Sequence, residues 1–451
     1  MAGRRPGPLS GFPELLPGQR MIEQQIIDGL RRTFELHGFA PIETRAVEPV
    51  ERLTGGGEID KEIYAVRRLA DVGDRAEAGL GLHFDLTVPF ARYVLENAGK
   101  LEFPFRRYQI QKVWRGERPQ SGRYREFTQA DIDIVARDEF AFHHDIEVAR
   151  VMAEALAGLP VAPFRLQINN RKLLQGFLLG IGATDPPAAM QAIDRLDKLP
   201  SDVVGKLLAE AGLAVHQAEA FLRLAEIRSD TNSFVDRVRE LGVKHELLDQ
   251  GLDELVTVLD GCQDLNSERI TVEVDLRIAR GLDYYTGTVF ETRLAGHDSL
   301  GSICSGGRYD SLASDGRTTY PGVGISLGLS RLLVPLFADG TVAASRSVPS
   351  AVLVAMADEG SRAVSTCVAQ ALRSRGIAAE VVASPDKYGK QIRYAQRRGI
   401  PYVWFPATGT EAGHEVKDIR SGDQGTADPD TWLPPEVDLT AQIITTPKTA
   451  E

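Results

Sequence analysis

The chain has 451 residues, 43% hydrophobic and 25% charged, a soluble globular composition too long for one core, so two or three domains are expected. No apolar run approaches a membrane span and no secretory leader is visible, which makes the cytoplasm the default compartment. Cys262, Cys304 and Cys367 are odd in number and lack metal-ligand spacing, so neither a disulfide framework nor a zinc site is expected. With 63 acidic against 52 basic residues the net charge is −11, which argues against whole-molecule attraction to nucleic acid and leaves that role to a local basic patch.

Residues 1–18 are rich in Gly, Pro and Arg and read as loose. Ile22, Ile26, Leu30 and Phe34 keep one helical face, and Gly38 is placed to end that helix. In His83-Phe84-Asp85-Leu86-Thr87-Val88-Pro89 the alternation predicts a strand with His83, Asp85 and Thr87 on one face. Tyr108 to Phe127 reads as strand, loop, strand. Arg115 and Glu117 fall on one face of the first strand, and Arg118, Arg123 and Arg125 crowd a loop containing Pro119, Gln120 and Gly122, a guanidinium density suited to polyphosphate or nucleic acid. In the strand that follows, Gln129, Asp131 and Asp133 alternate with Ala130, Ile132 and Ile134. Two aspartates between core residues are unusual in a strand and point to a polar cleft. His143-His144 reads as helix surface.

From about 165 to 270 the sequence turns helical, returning to strands at Ile270. Arg280-Gly281-Leu282-Asp283-Tyr284-Tyr285-Thr286-Gly287-Thr288-Val289-Phe290-Glu291 then mixes a cation, two phenols and two glycines into a strand pattern. Strict alternation puts Tyr285, Gly287, Val289 and Glu291 on one face and Tyr284, Thr286, Thr288 and Phe290 on the other, with Gly287 leaving space beside Tyr285. Gly322-Val323-Gly324-Ile325-Ser326-Leu327-Gly328-Leu329-Ser330-Arg331-Leu332 predicts a strand entering a helix. Residues 338–350 are linker-like. Beyond them, 351–355, a helix through Leu372, 380–382, a helix bearing Lys387, Lys390, Arg393 and Arg397, and 402–405 predict βαβαβ and a largely parallel sheet. After Asp428 the Pro/Thr-rich tail is expected to be disordered or to lie along the surface.

Trp114 to Asp133 and Gly322 to Leu332 resemble the second and third signature motifs of the class II aminoacyl-tRNA synthetases. Arg280 to Glu291, followed by Cys304-Ser305-Gly306-Gly307-Arg308-Tyr309-Asp310, resembles the string of the histidine–tRNA ligase family, and the resemblance runs from Phe12 to Asp418. It implies an α/β protein: an α+β catalytic domain over 19–340 with an antiparallel sheet, flanking helices and a helical insertion at about 170–268. A C-terminal α/β anticodon-binding domain over 348–428 and a tail over 429–451 would follow. The implied reaction is ATP-dependent activation of L-histidine and transfer to tRNA(His).

The same resemblance assigns catalysis to Arg115, Arg280 and Gln129, and ATP binding to Arg115, Glu117, Arg123 and Arg331. It assigns histidine binding to Asp85, Thr87, Arg115, Gln129, Asp133, Arg280, Tyr284, Tyr285 and Tyr309, with Asp133 and Tyr285 on the imidazole. Transfer RNA falls to Arg118, Gln120, Lys387, Lys390 and Arg393. Magnesium travels with ATP, no zinc is implied, and the family's usual state is a homodimer. Arg45 stands where the first signature motif has proline, with Glu43 or Glu48 within its reach across a dimer interface. The Asp85-Leu86-Thr87 and Gln129 to Asp133 wording is closer to archaeal and eukaryotic members than to bacterial ones. The rival readings are a catalytically silent paralogue serving as regulatory subunit of ATP phosphoribosyltransferase, a specialised second copy of the synthetase, and an RNA-sensing module.

Overall fold

The computed structural model describes residues 7–54, 58–69, 79–279, 284–407 and 413–446. It divides into two compact units, Met1–Pro13 with Ile27–Pro335, and Glu14–Ile26 with Leu336–Glu451. Helix α1 (Pro17–Leu36) forms because Ile22, Ile26, Leu30 and Phe34 recur on one stripe, and all four are buried. Gly38, at φ 76°, supplies the left-handed residue that commonly closes a helix.

The larger unit is built on a nine-stranded sheet. Its principal strands are β1 (Phe105–Trp114), β2 (Glu126–Val135), β3 (Phe164–Asn170), β4 (Ile270–Asp275), β5 (Tyr285–Leu294), β6 (Cys304–Ser314) and β7 (Thr319–Gly328). The order is 40–41, β1, β2, β7, β6, β5, β3, β4, 228–229. Among the described residues only 40–41 with β1 and β3 with β4 are parallel. Ala130, Ile132 and Ile134 of β2, with Val323, Ile325 and Leu327 of β7, are fully or nearly fully buried, so the apolar halves of the alternating patterns form core as expected.

The strand expected at His83–Pro89 is not formed. A short strand ends at Leu82 and helix α2 (Thr87–Asn97) begins instead. Asp85 Oδ1 accepts the Val88 N–H at 3.0 Å, and Asp before a Pro-containing first turn is a helix-start signal that outweighs five alternating residues. His144 is also not surface: helix α3 (His143–Ala157) starts there, and the His144 ring is buried against Phe140 at 5.0 Å. Between Asn170 and Ile270 the chain is chiefly helical. The helices 171–180 and 246–260 meet at Gly176 and Gly251, where a Cβ would collide with the opposing backbone.

In the second unit β8 (Val352–Val354), β9 (Ala379–Val381) and β10 (Tyr402–Phe405) are parallel, in the order β9, β8, β10, extended by antiparallel strands 415–418 and 424–426. Helix α4 (Leu329–Ala338) follows β7, and helices α5 (Arg362–Ser374) and α6 (Tyr388–Arg398) complete the expected alternation. Of the two alternatives expected for the tail, the described residues to 446 follow the second and run along the surface of this unit, packed at several points. Strand 443–445 pairs with 342–344, and Trp432 meets Tyr402 and Trp404 edge-on at 5.2 and 5.5 Å. Arg346 donates to the carbonyls of Asp438 and Leu439 at 2.8 and 3.1 Å. Isolated apolar residues among prolines and threonines carry no periodicity, which hid this packing from the sequence.

Candidate active site

Three strands lay a polar floor. Arg107, Gln109 and Gln111 of β1 stand opposite Asp133, Asp131 and Gln129 of β2, and Gly324, Ser326 and Gly328 of β7 face the same three residues. Residues directly opposite share a sheet face, so register alone gathers the expected Gln129, Asp131 and Asp133 with four polar groups not singled out beforehand: Arg107, Gln109, Gln111 and Ser326. Gly324 permits the approach, since a Cβ there would fall on Asp133 Oδ1.

Asp133 is clamped on both oxygens. Arg107 Nη2 donates to Oδ2 at 2.6 Å, and the Tyr309 hydroxyl donates to Oδ1 at 2.9 Å. Burial, opposed by Arg107, pushes the Asp133 carboxyl up to about 6; burial does the same to Asp85, to about 6, and to Asp131, to about 7. Asp85 Oδ2, Gln129 Oε1 and Asp131 Oδ1 are buried without a hydrogen-bond partner among the described residues. Buried acceptors left open are costly, and three of them in one cleft suit a ligand rich in N–H groups.

Tyr284, Tyr285 and Tyr309 complete this end. The Tyr284 ring lies 4.8 Å from Tyr285 and 6.0 Å from Tyr309, edge-on to both. Strict alternation had put Tyr284 and Tyr285 on opposite faces. Tyr284 instead precedes β5, and the β5–β6 register shifts between Tyr285 and Val289, which turns both rings into the cleft. Gly307, not Gly287, makes room for Tyr285: a Cβ at 307 would sit 3.0 Å from that ring, whereas one at 287 would meet Arg308. Thr87, at the start of α2, bonds the Tyr284 hydroxyl. Burial raises all three phenols, keeping them protonated as donors.

Beyond Gln129 the floor opens into a cavity of about 270 Å3 bordered by Arg115, Glu117, Arg123, Phe127, Ser305 and Arg331. Arg115 is held from two sides: its Nε donates to the Phe84 carbonyl at 3.0 Å, and its guanidinium lies 5.0 Å from the Phe127 ring centre. Arg123 pairs with Glu117 at 3.2 Å. Arg331 donates to the Leu300 carbonyl at 3.0 Å, and a Cβ at Gly301 would come within 3.3 Å of its Nη2. Arg280, with Gly281 to Asp283, lies outside the described residues.

Of the expected tRNA contacts, Arg118 and Gln120 are exposed on the β1–β2 loop, while Lys387, Lys390 and Arg393 are exposed on or beside α6 in the second unit. Arg45 pairs within its own chain, donating to Glu48 Oε2 at 2.9 Å, and Arg92 takes the other Glu48 oxygen at 2.8 Å. Glu48 is therefore already satisfied without a contact across an interface.

Residues 11–332 match the family model described as histidyl-tRNA synthetase, and residues 351–428 match that of an anticodon binding domain. The chain belongs to the histidyl-tRNA synthetase family. It is 57% identical to the histidine–tRNA ligase of Cutibacterium acnes, covering 97% of this chain and 99% of that one. The histidyl-tRNA synthetase structure from Nostoc sp. matches with a TM-score of 0.82 at 33% identity, over 94% of this chain and 97% of that one. Both relatives are bacterial. A structure described as an ATP phosphoribosyltransferase regulatory subunit/histidyl-tRNA synthetase from Bacillus halodurans matches with a TM-score of 0.69 at 20% identity, over 87% of this chain and 97% of that one. At that identity the likeness is one of fold. No described helix is long and apolar enough to cross a membrane.

Proposed function

We propose that this chain activates L-histidine with ATP to histidyl-adenylate, releasing pyrophosphate, and transfers the histidyl group to the 3′-terminal ribose of tRNA(His). The observation that carries this reading is the continuity of the acceptor-rich floor with the arginine-bordered cavity, joined at Arg115 and Gln129. A histidine carboxylate oxygen attacks the α-phosphorus and pyrophosphate departs. Arg115, at the junction, draws the two anions together and stabilises the charge that grows on the α-phosphate. Asp85 and Gln129 take the α-ammonium with their open oxygens. Asp133 accepts a ring N–H and Tyr285 donates to the other ring nitrogen. Arg123 and Arg331 hold the γ-phosphate, and Glu117 reads the adenine amino group. Magnesium enters on the phosphates as part of the nucleotide substrate.

Arg118 and Gln120 would meet the acceptor end of the tRNA, and Lys387, Lys390 and Arg393 its anticodon region, within a C-terminal domain over 348–428. The working form would be a cytoplasmic homodimer, since class II members of this kind present a self-complementary first-motif surface. The purified protein should catalyse histidine-dependent ATP–pyrophosphate exchange without tRNA. No exchange with any standard amino acid would defeat this reading and favour the regulatory-subunit alternative. Light scattering should give about twice the 49.3 kDa chain mass; a fully active species of single mass would overturn the dimer.

A further inference from the structure

Arg107 has no role in the reading above, yet it is the most constrained cation of the floor. It is 0% exposed, its Nη2 binds Asp133 at 2.6 Å, and its guanidinium lies 4.3 Å from the Phe90 ring centre. Its Nε and Nη1 are buried without hydrogen-bond partners among the described residues. Such a group is expensive to keep, and a single buried ion pair leaves its other N–H groups unrepaid. The groups facing the pair are Asp85 ahead of α2, Asp131 on β2, Tyr285 on β5 and Tyr309 on β6. Three buried carboxylates thus share one buried guanidinium.

We propose that Arg107 is a positioning and specificity residue that makes the side-chain pocket select a neutral imidazole. A bare buried carboxylate rewards a cation: it would favour imidazolium, or a lysine or arginine side chain, over a neutral ring. Paired with Arg107, Asp133 contributes no net charge and keeps lone pairs to accept one N–H from a neutral ring. Tyr309 on the other oxygen fixes the direction of that acceptor. Removing the guanidinium leaves an uncompensated carboxylate, and the bound complex then holds one proton more, as neutral acid with neutral ring or as carboxylate with imidazolium.

This inference rests on histidine being the substrate, and the test separates the two. Arg107→Met keeps length and apolar contact with Phe90 while deleting the charge; Arg107→Lys keeps the charge. Pyrophosphate exchange is measured from pH 6 to 8.5 for the parent and both variants, with melting temperature and KM for ATP as controls. The parent's KM for histidine should fall as the free ring loses its proton near pH 6.5 and then level. In Arg107→Met it should rise at least tenfold at pH 7 and climb further with each pH unit above it, with KM for ATP within threefold of the parent; Arg107→Lys should restore the parent's profile in part. Asp131 titrates in all three proteins, so the difference between profiles is the readout. Parallel profiles for parent and Arg107→Met, or equal losses in histidine and ATP parameters, would overturn the inference by reducing Arg107 to a structural residue. If Arg107→Met does not fold, Arg107→Lys decides: a KM for histidine and pH profile that move while KM for ATP stays supports it, and a uniform loss overturns it. A parent without histidine-dependent exchange would instead defeat the functional reading on which this rests.

Discussion

The two units hold their charges in opposite ways. On the floor of the larger unit, Arg107, Asp131 and Asp133 are at most 2% exposed and act on one another through low dielectric. On and just ahead of α6 in the smaller unit, Lys387, Lys390 and Arg393 stand in solvent, Lys390 paired with Asp386 at 2.9 Å, where water and salt screen each cation from the others. The difference teaches what each surface is for. Buried, mutually fixed charges can tell one small ligand from another, whereas screened, independent charges can gather a polyanion and are individually expendable.

The largest expected effect comes from the smaller unit's core, which should break without silencing the larger unit. Trp404 is 0% exposed between β8 and Trp432, and Trp404→Ala should destabilise this unit by about 3–5 kcal/mol. Chemical denaturation should then show an early transition while tRNA-independent exchange persists; loss of exchange in proportion to the unfolded fraction would erase the contrast. Next is Arg115→Ala, predicted to slow exchange by about 10²–10³-fold with an unchanged melting temperature. A loss below tenfold would remove Arg115 from the junction of the two ligand sites.

The third prediction uses pH. Asp85, Asp131 and Asp133 have folded-state values raised by burial to about 6, 7 and 6, above those of an unfolded chain, so the stability they confer is complete below the unfolded value and is lost as pH rises through 6 to 7. Asp131→Asn, which cannot ionise, should therefore gain melting temperature relative to the parent between pH 5 and 8. A constant difference across that window would show that Asp131 is not the titrating group. The smallest effect belongs to the exposed cations. Lys390→Ala and Arg393→Ala should each weaken tRNA binding a few-fold and reduce the salt dependence by about one ion, leaving exchange untouched. A combined loss far exceeding the product of the two would show that these charges are coupled after all.

Much of this was legible because it is periodic. The α1 stripe, the β1–loop–β2 hairpin, the entry of β7 into the helix Leu329–Ala338 and the C-terminal alternation each repeat a local pattern over ten or more residues. Arg107 needed a non-local step, pairing two strands in register. The clue was present, since Arg107, Gln109 and Gln111 alternate with Tyr108 and Ile110. Asp85 and Thr87 read as strand residues and instead lie at a helix start, because a helix start and a short polar strand look alike over five residues. Tyr284 was misplaced because a bulge resets alternation, and nothing in a single sequence announces one. For the tail, Trp432 and Leu439 pack one residue at a time, below any period.

The pairing of 342–344 with 443–445 also bears on the order in which the protein can be made. Within the smaller unit, Gln25 donates to the Ala441 carbonyl at 2.8 Å, so two segments 416 residues apart in the sequence are matched to each other. At about 5–20 residues per second, residues 14–26 wait tens of seconds for residues 441–445 to leave the ribosome, with Ile22 and Ile26 lacking their final surroundings until then. Assembly of this protein therefore does not run strictly from the amino terminus forward: the smaller unit cannot close until residues 441–445 emerge, and it closes around a stretch of chain made before the larger unit's sheet.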